Sequence, residues 1–158
     1  MSESHLACLS LGSNIEPEVN LPRAVDLLSR RCQLKQISGV WESEPVGTTG
    51  SNYLNACALF GTGLNRDDLK ENTISPIERL LGRQRGGDKY APRPIDIDIV
   101  VFDGNIVDAA MLDLAFVVIP LAEILPGFRN PVTGETLQES ATRLRQVNWL
   151  EARPGVLS

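Results

Sequence analysis

The sequence predicts an α+β domain built on one sheet, with a further strand/helix segment added at the C-terminus. Three observations carry this. Apolar stretches of strand length, bounded by turn formers, fall at residues 5–11, 34–42, 53–60 and 95–102. Two segments between them repeat apolar residues at helical spacing. Their order is β-α-β-β-α-β, the ferredoxin-like pattern, in which both helices cover one face of the sheet and the other face is free to hold a ligand. A length of 158 residues suits one domain spanning 1–158.

The elements follow in order. "HLACLSL", residues 5–11, reads as the first strand, ended by Gly12, Ser13 and Asn14. A helix starts between Pro17 and Asn20, with Leu21, Ala24, Val25 and Leu28 as its apolar stripe. Pro22 is compatible with the first turn only, which favours a start near Asn20. Residues 34–42 read as one strand with a bulge at Gly39. Residues 43–52, "SEPVGTTGSN", are a loop, and 53–60 a third strand. Asn65 caps a second helix with Leu69 facing inward; Pro76 interrupts it, and "SPIE" restarts it with Ile77, Leu80 and Leu81 buried. Gly82 stops it, and 82–94 is a long basic irregular segment. After the fourth strand, Asp103 and Gly104 begin a turn. An apolar run at 114–119 is closed by Pro120, residues 121–125 form one helical turn or two, and a last helix covers 136–147.

Composition narrows the function classes. Hydrophobic residues make up 42%, enough for a core. The net charge of −5 argues against a general nucleic-acid or anionic-membrane surface. No apolar run approaches the roughly 20 residues that cross a bilayer, and the N-terminus reads as free of an export signal, so a cytoplasmic location is expected. Cys8, Cys32 and Cys57 have no metal-knuckle or redox spacing and read as reduced, buried thiols. His5, the only histidine, falls at a terminus expected to fray, which disfavours triads with a histidine base and multi-histidine zinc sites.

The fourth strand carries the chemistry. In "RPIDIDIVVF", Ile95, Ile97 and Ile99 alternate with Asp96 and Asp98, so the carboxylates share a face about 6–7 Å apart. Two like charges side by side repel; either this is a solvated polar face or a cation relieves the repulsion. Oxygen ligation of this kind suits Mg²⁺, and two such ions can share a carboxylate pair. Arg93 lies between Pro92 and Pro94, with Arg83, Arg85 and Lys89 upstream. Arginines plus Mg²⁺ suit a polyphosphate, and the chain has no GxxxxGK[ST] loop that would serve instead. Tyr53 and Asn55 share a strand face, which fits either plain packing or a heterocycle pocket.

"YAPRPIDIDIVVF" resembles the signature of the 6-hydroxymethyl-7,8-dihydropterin pyrophosphokinase family. "LSLGSN", "SEPVG", "YLNA", "IERLLGRQR" and "FVVIPLAEILPG" resemble further motifs of that family in the same order. The resemblance implies a ferredoxin-like fold and Mg²⁺-dependent transfer of pyrophosphate from ATP to the hydroxymethyl group of the reduced pterin, giving AMP, in folate synthesis. It implies two Mg²⁺ ions on Asp96 and Asp98, with Asp96 also facing the pterin. Ser43, Val46, Tyr53, Asn55 and Phe116 match pterin-binding positions. Glu78, Arg83, Arg85, Tyr90, Arg93 and Ile99 match ATP-binding positions, with Arg83 and Arg93 as the catalytic cations. The partners implied are ATP and a reduced pterin, in a monomer or weak homodimer. The chain departs from the pattern at "DAAMLDLAFVVIPL": a histidine is absent, and Leu114 stands where an arginine that meets phosphate would fall. Weaker ATP binding or slower turnover is the expected consequence. A kinase for another pterin, as in a methanopterin-like pathway, and a non-catalytic binding paralogue are the alternatives.

Overall fold

The structure, a computed structural model, describes residues 4–46, 50–83 and 93–157. Its element order is β1 (His5–Ser13), α1 (Pro17–Ser29), β2 (Gln33–Ile37), β3 (Trp41–Ser43), β4 (Tyr53–Thr62), α2 (Arg66–Leu69), a π-helical turn (Lys70–Ile74), α3 (Ser75–Leu80), β5 (Asp96–Phe102), β6 (Asn105–Ile106), a 3₁₀ turn (Ala109–Asp113), α4 (Ala115–Ile124), α5 (Leu137–Arg145) and β7 (Leu150–Ala152). The strands form one antiparallel sheet ordered β6-β5-β1-β4-β3-β7, with β2 also on β4. This is the ferredoxin-like α+β arrangement the element order predicts.

Strand alternation divides the core in two. Ala7, Leu9 and Leu11, then Leu54, Ala56, Ala58 and Phe60, then Ile95, Ile97 and Ile99 meet α1 and the α2–α3 region. Cys8, Cys57, Val100 and Val101 meet α4 and α5 on the other face. A bulge where β1 pairs with β5 lets the strand change faces: Leu9 pairs with Ile99 and Cys8 with Val101. The expectation of a wholly open second face is therefore corrected. Helices α4 and α5 cover part of it, and the end carrying Asp96 and Asp98 is left open.

Several local expectations are also corrected. β1 runs through Gly12 to Ser13 rather than ending at Leu11. Helix α1 begins at Pro17, so Pro22 lies in its second turn. The bond lost there is to the carbonyl of Glu18, an exposed residue where water can replace it. Residues 34–42 are two strands in place of one. β2 and β3 pair with opposite ends of β4, and Ser38 bridges the break: its backbone N–H donates to the Cys57 carbonyl at 2.9 Å and its Oγ accepts the Cys57 N–H at 2.9 Å.

"SPIE" is not a fresh start, because Ile74 and Ser75 already have helical backbone angles. The π turn carries the helix into Pro76, with the Ser75 N–H bonded to the Lys70 carbonyl five residues back. Ile77 and Leu81 are buried as expected, but Leu80 is 65% exposed and Glu78 takes the inward place. The run at 114–119 does not stop at Pro120. It begins α4, which continues to Ile124 and is buried on nearly every side. A proline inside a helix costs about 3 kcal/mol, and burying each large side chain returns about 1.5–3 kcal/mol, so burial wins. The last helix is shorter than expected, with Thr136 as its cap. His5 is not frayed: it lies in β1 and its Nδ1 is 2.6 Å from Asp103 Oδ2.

Candidate active site

The open end of the second face is organised by strand register. Gly12 in the central strand pairs with Asp96 on one side and Asn55 on the other; Ser10 pairs with Asp98 and Cys57. Alternation turns Ser10, Gly12, Asn55, Asp96 and Asp98 toward one cavity of about 150 Å³. Ser10 and Gly12 form its floor, Asp96 and Asp98 one wall, Tyr53 and Asn55 the facing wall. Met111, Leu114 and Phe116, from the 3₁₀ turn and the start of α4, line the rest.

Each wall has its own chemistry. Asn55 is buried, and its Nδ2 donates to the Trp41 carbonyl at 3.0 Å and to Ser43 Oγ at 2.8 Å. A carbonyl can only accept, so the amide nitrogen must face Trp41, and Oδ1 turns toward Gly12 as an acceptor. A Cβ on Gly12 would lie 3.2 Å from that Oδ1 and 3.6 Å from the Tyr53 ring. Glycine here is what lets the amide and the aromatic reach the floor. Tyr53 is a neutral phenol, its pKa raised chiefly by burial.

The opposite wall is a charged cluster. Arg83 Nη1 lies 2.6 Å from Glu78 Oε2 and 2.7 Å from Asp96 Oδ1. The Glu78 carboxylate is buried and also accepts the Ile97 N–H at 2.9 Å, which anchors α3 to β5. Arg93 Nη1 is 3.9 Å from Asp96 Oδ1. Its backbone is held by Asn14, whose Oδ1 accepts the Arg93 N–H at 2.7 Å and whose N–H donates to the Arg93 carbonyl at 3.1 Å. Asn14 Nδ2 also reaches the Ser51 carbonyl at 3.4 Å, joining the two walls. Burial first, and then the neighbouring Asp96 charge, push the Asp98 carboxyl up to about 6.

The structure thus brings Asp96, Asp98, Tyr53, Asn55 and Phe116 around one cavity, with Arg83 and Arg93 beside Asp96. Ser43 acts from behind Asn55. Val46 lies in an adjoining cavity of about 370 Å³ that also contains Ser43 and Trp149 and shares Leu114 and Phe116 with the first. Glu78 is committed to Arg83 and the strand backbone, and the Ile99 side chain is packed in the first core. Arg85, Lys89 and Tyr90 lie outside the described residues. Sequence reasoning missed Ser10, Gly12 and Asn14. Period-two alternation within the predicted strand already turns Ser10 to that face, and would have added Gly12 had the strand been extended past Leu11.

Two carboxylates on one strand face are hard oxygen donors, and burial first, then the Asp96 charge, makes ionised Asp98 a group that a cation would stabilise. Among the described residues no cluster of three or more His, Cys, Asp or Glu side chains is arranged around a metal ion. The paired carboxylates fit Mg²⁺, which commonly takes one or two carboxylates and completes its shell with water and phosphate oxygens.

Among solved structures the fold is similar to the HPPK-DHPS of Plasmodium falciparum (A437G, with STZ-DHP), with a TM-score of 0.73 at 12% identity, over 89% of this chain and 45% of that one. An HPPK-DHPS in complex with substrates gives 0.71 at 11% identity, over 90% and 44%. The chain spans less than half of those longer chains. The 2-amino-4-hydroxy-6-hydroxymethyldihydropteridine pyrophosphokinase of Methylorubrum extorquens is 35% identical over 150 residues, 87% of this chain and 92% of that protein. That of Synechocystis sp. is 30% identical over 146 residues, 85% and 74%. Residues 8–126 match the profile of a pyrophosphokinase family, so the class is that of enzymes transferring a diphosphoryl group. The family is 7,8-dihydro-6-hydroxymethylpterin-pyrophosphokinase, and the chain belongs to it.

Proposed function

We propose that the chain transfers the diphosphoryl group of ATP to the hydroxymethyl oxygen of 6-hydroxymethyl-7,8-dihydropterin in folate synthesis, leaving AMP. The observation that carries this reading is the facing of two unlike walls across Gly12: an aromatic and a buried amide acceptor on one side, paired carboxylates with arginines on the other. Asn55 Oδ1 accepts an N–H of the pterin ring, while Tyr53 and Phe116 give it flat apolar surfaces. The hydroxymethyl oxygen attacks the β-phosphorus. The bond from that phosphorus to the oxygen bridging the α-phosphorus breaks, AMP leaves with the electron pair, and the hydroxyl proton passes to solvent.

Asp96 and Asp98 would hold the two Mg²⁺ ions, which when bound offset the charge of the triphosphate oxygens. Arg83 and Arg93 orient phosphate oxygens. Arg83 exchanges part of its contact with Asp96 for phosphate, and Glu78 keeps it aimed. Most of the rate enhancement then comes from alignment and preorganised charge. The reading is tested by incubating the protein with ATP, Mg²⁺ and the hydroxymethyl dihydropterin, then resolving the products. AMP and a diphosphorylated pterin in equal amounts support it; ADP, or no consumption of pterin, contradicts it.

A further inference from the structure

Behind the pterin wall, on the sheet face away from the cavity, one carboxylate joins three segments of the chain. Glu42 stands in β3 between Trp41 and Ser43, the two residues that hold Asn55. It pairs in register with Leu54 on one side and Glu151 on the other. One of its oxygens accepts from Arg153 Nη1 at 2.5 Å, the other from Asn52 Nδ2 at 2.8 Å. Arg153 is fixed in turn: its N–H donates to the Val40 carbonyl at 2.8 Å, and its Nη2 is 3.7 Å from Glu18 Oε2 on α1. Asn52 immediately precedes Tyr53. The carboxylate therefore ties the residue that enters the 43–52 loop to the last residue of that loop, and both to the chain after β7.

We infer that Arg153 is a positioning residue for the pterin side of the site, acting through Glu42 and Asn52 to set the spacing of β3 and the start of β4. That spacing decides where Ser43, Tyr53 and Asn55 present their polar atoms. The inference rests on the pterin reading above. The Asn52 and Arg153 hydrogen bonds hold the Glu42 carboxyl below the usual carboxylate range, as expected of a carboxylate engaged on both oxygens. Arg153 touches neither cavity. Its loss weakens a binding surface without removing a group that meets the reacting atoms, so the effect falls on KM for the pterin.

The test compares wild type, Arg153→Met and Arg153→Lys in two measurements. In steady-state kinetics Arg153→Met raises the pterin KM roughly five- to tenfold, with the ATP KM and kcat within about twofold. Arg153→Lys keeps the charge without the planar fork and gives an intermediate KM. In amide hydrogen exchange of the substrate-free protein, Arg153→Met exchanges faster over residues 41–43 and 53–55 and unchanged over 7–11 and 96–101. A rise confined to the ATP KM, or unaltered exchange over 41–43 and 53–55, overturns the inference. Exchange needs no substrate, so it judges the clamp even where the wild-type protein fails to turn over this pterin; that failure strikes the proposed function alone.

Discussion

Asp98 carries an electrostatic cost within the fold. Its carboxyl is pushed from 3.8 to about 6, first by burial and then by Asp96. A carboxyl whose folded value lies above its unfolded one binds its proton more tightly on folding. Its stabilising contribution is complete below about pH 4 and is lost as pH rises through about 6. At pH 7 the ionised group costs the metal-free protein on the order of 2–3 kcal/mol. In Mg²⁺-free buffer, Asp98→Asn should raise the melting temperature at pH 7 by roughly 5–10 °C and change it little at pH 4. An unchanged melting temperature at pH 7 would contradict the assignment of a strained carboxylate pair. Gly12 makes a second test at this scale. The Asn55 amide is pinned by Trp41 and Ser43, so it cannot yield to a new methyl group 3.2 Å away. Gly12→Ala should fold, lose about 1–2 kcal/mol, and raise the pterin KM at least tenfold with the ATP KM preserved. An unaltered pterin KM would remove Gly12 from the site. Asp96, Asp98, Tyr53 and Asn55 were legible in the sequence because strand alternation is short-range. The pinning of Asn55 and the Asn14 bridge to Arg93 were not, because their partners lie 12 to 79 residues away.

At the scale of elements, the boundaries that resisted reading are those where tertiary packing overrides local preference. "FVVIPL" has no amphipathic period, since α4 lies between the sheet and α5 with apolar neighbours on nearly every side. Such a run cannot be told from a buried strand by its pattern alone. The α2–α3 region is the converse case. A proline and a cap-like serine advertise a restart, yet the π turn absorbs the proline, and the inward place of Glu78 is decided by Arg83 and the Ile97 N–H. Helix α5 needed no such context. Thr136 Oγ accepts the Glu139 N–H at 3.1 Å and Glu139 Oε1 accepts the Thr136 N–H at 2.8 Å, a reciprocal cap written in four consecutive residues. Thr136→Ala should cost about 1 kcal/mol in urea unfolding and leave both KM values unchanged. A shift in either KM would mean that α5 bears on the site more directly than its distant packing against α4 implies.

For the whole molecule, the order of strands sets two unlike surfaces side by side in one small domain. The central strand β1 separates β5, with its carboxylates, from β4, with its aromatic and amide, and Gly12 keeps that divide free of a side chain. Among the described residues no helix is long and apolar enough to cross a membrane, and α4 and α5 cover part of the second sheet face while leaving this divide open. The ferredoxin-like order was legible from the alternation of apolar runs. The partial closure of the second face was not, since it depends on α4, an all-apolar run whose pattern does not separate helix from strand. The central claim is that the Asp96–Asp98 pair is the charge centre on which diphosphoryl transfer depends. It is tested most directly by AMP formation from ATP and the hydroxymethyl dihydropterin at saturating Mg²⁺, in wild type, Asp96→Asn and Asp98→Asn, each first shown to be folded. A fall of at least about a hundredfold in kcat is expected for both variants. Either variant retaining turnover near that of the wild type would contradict it.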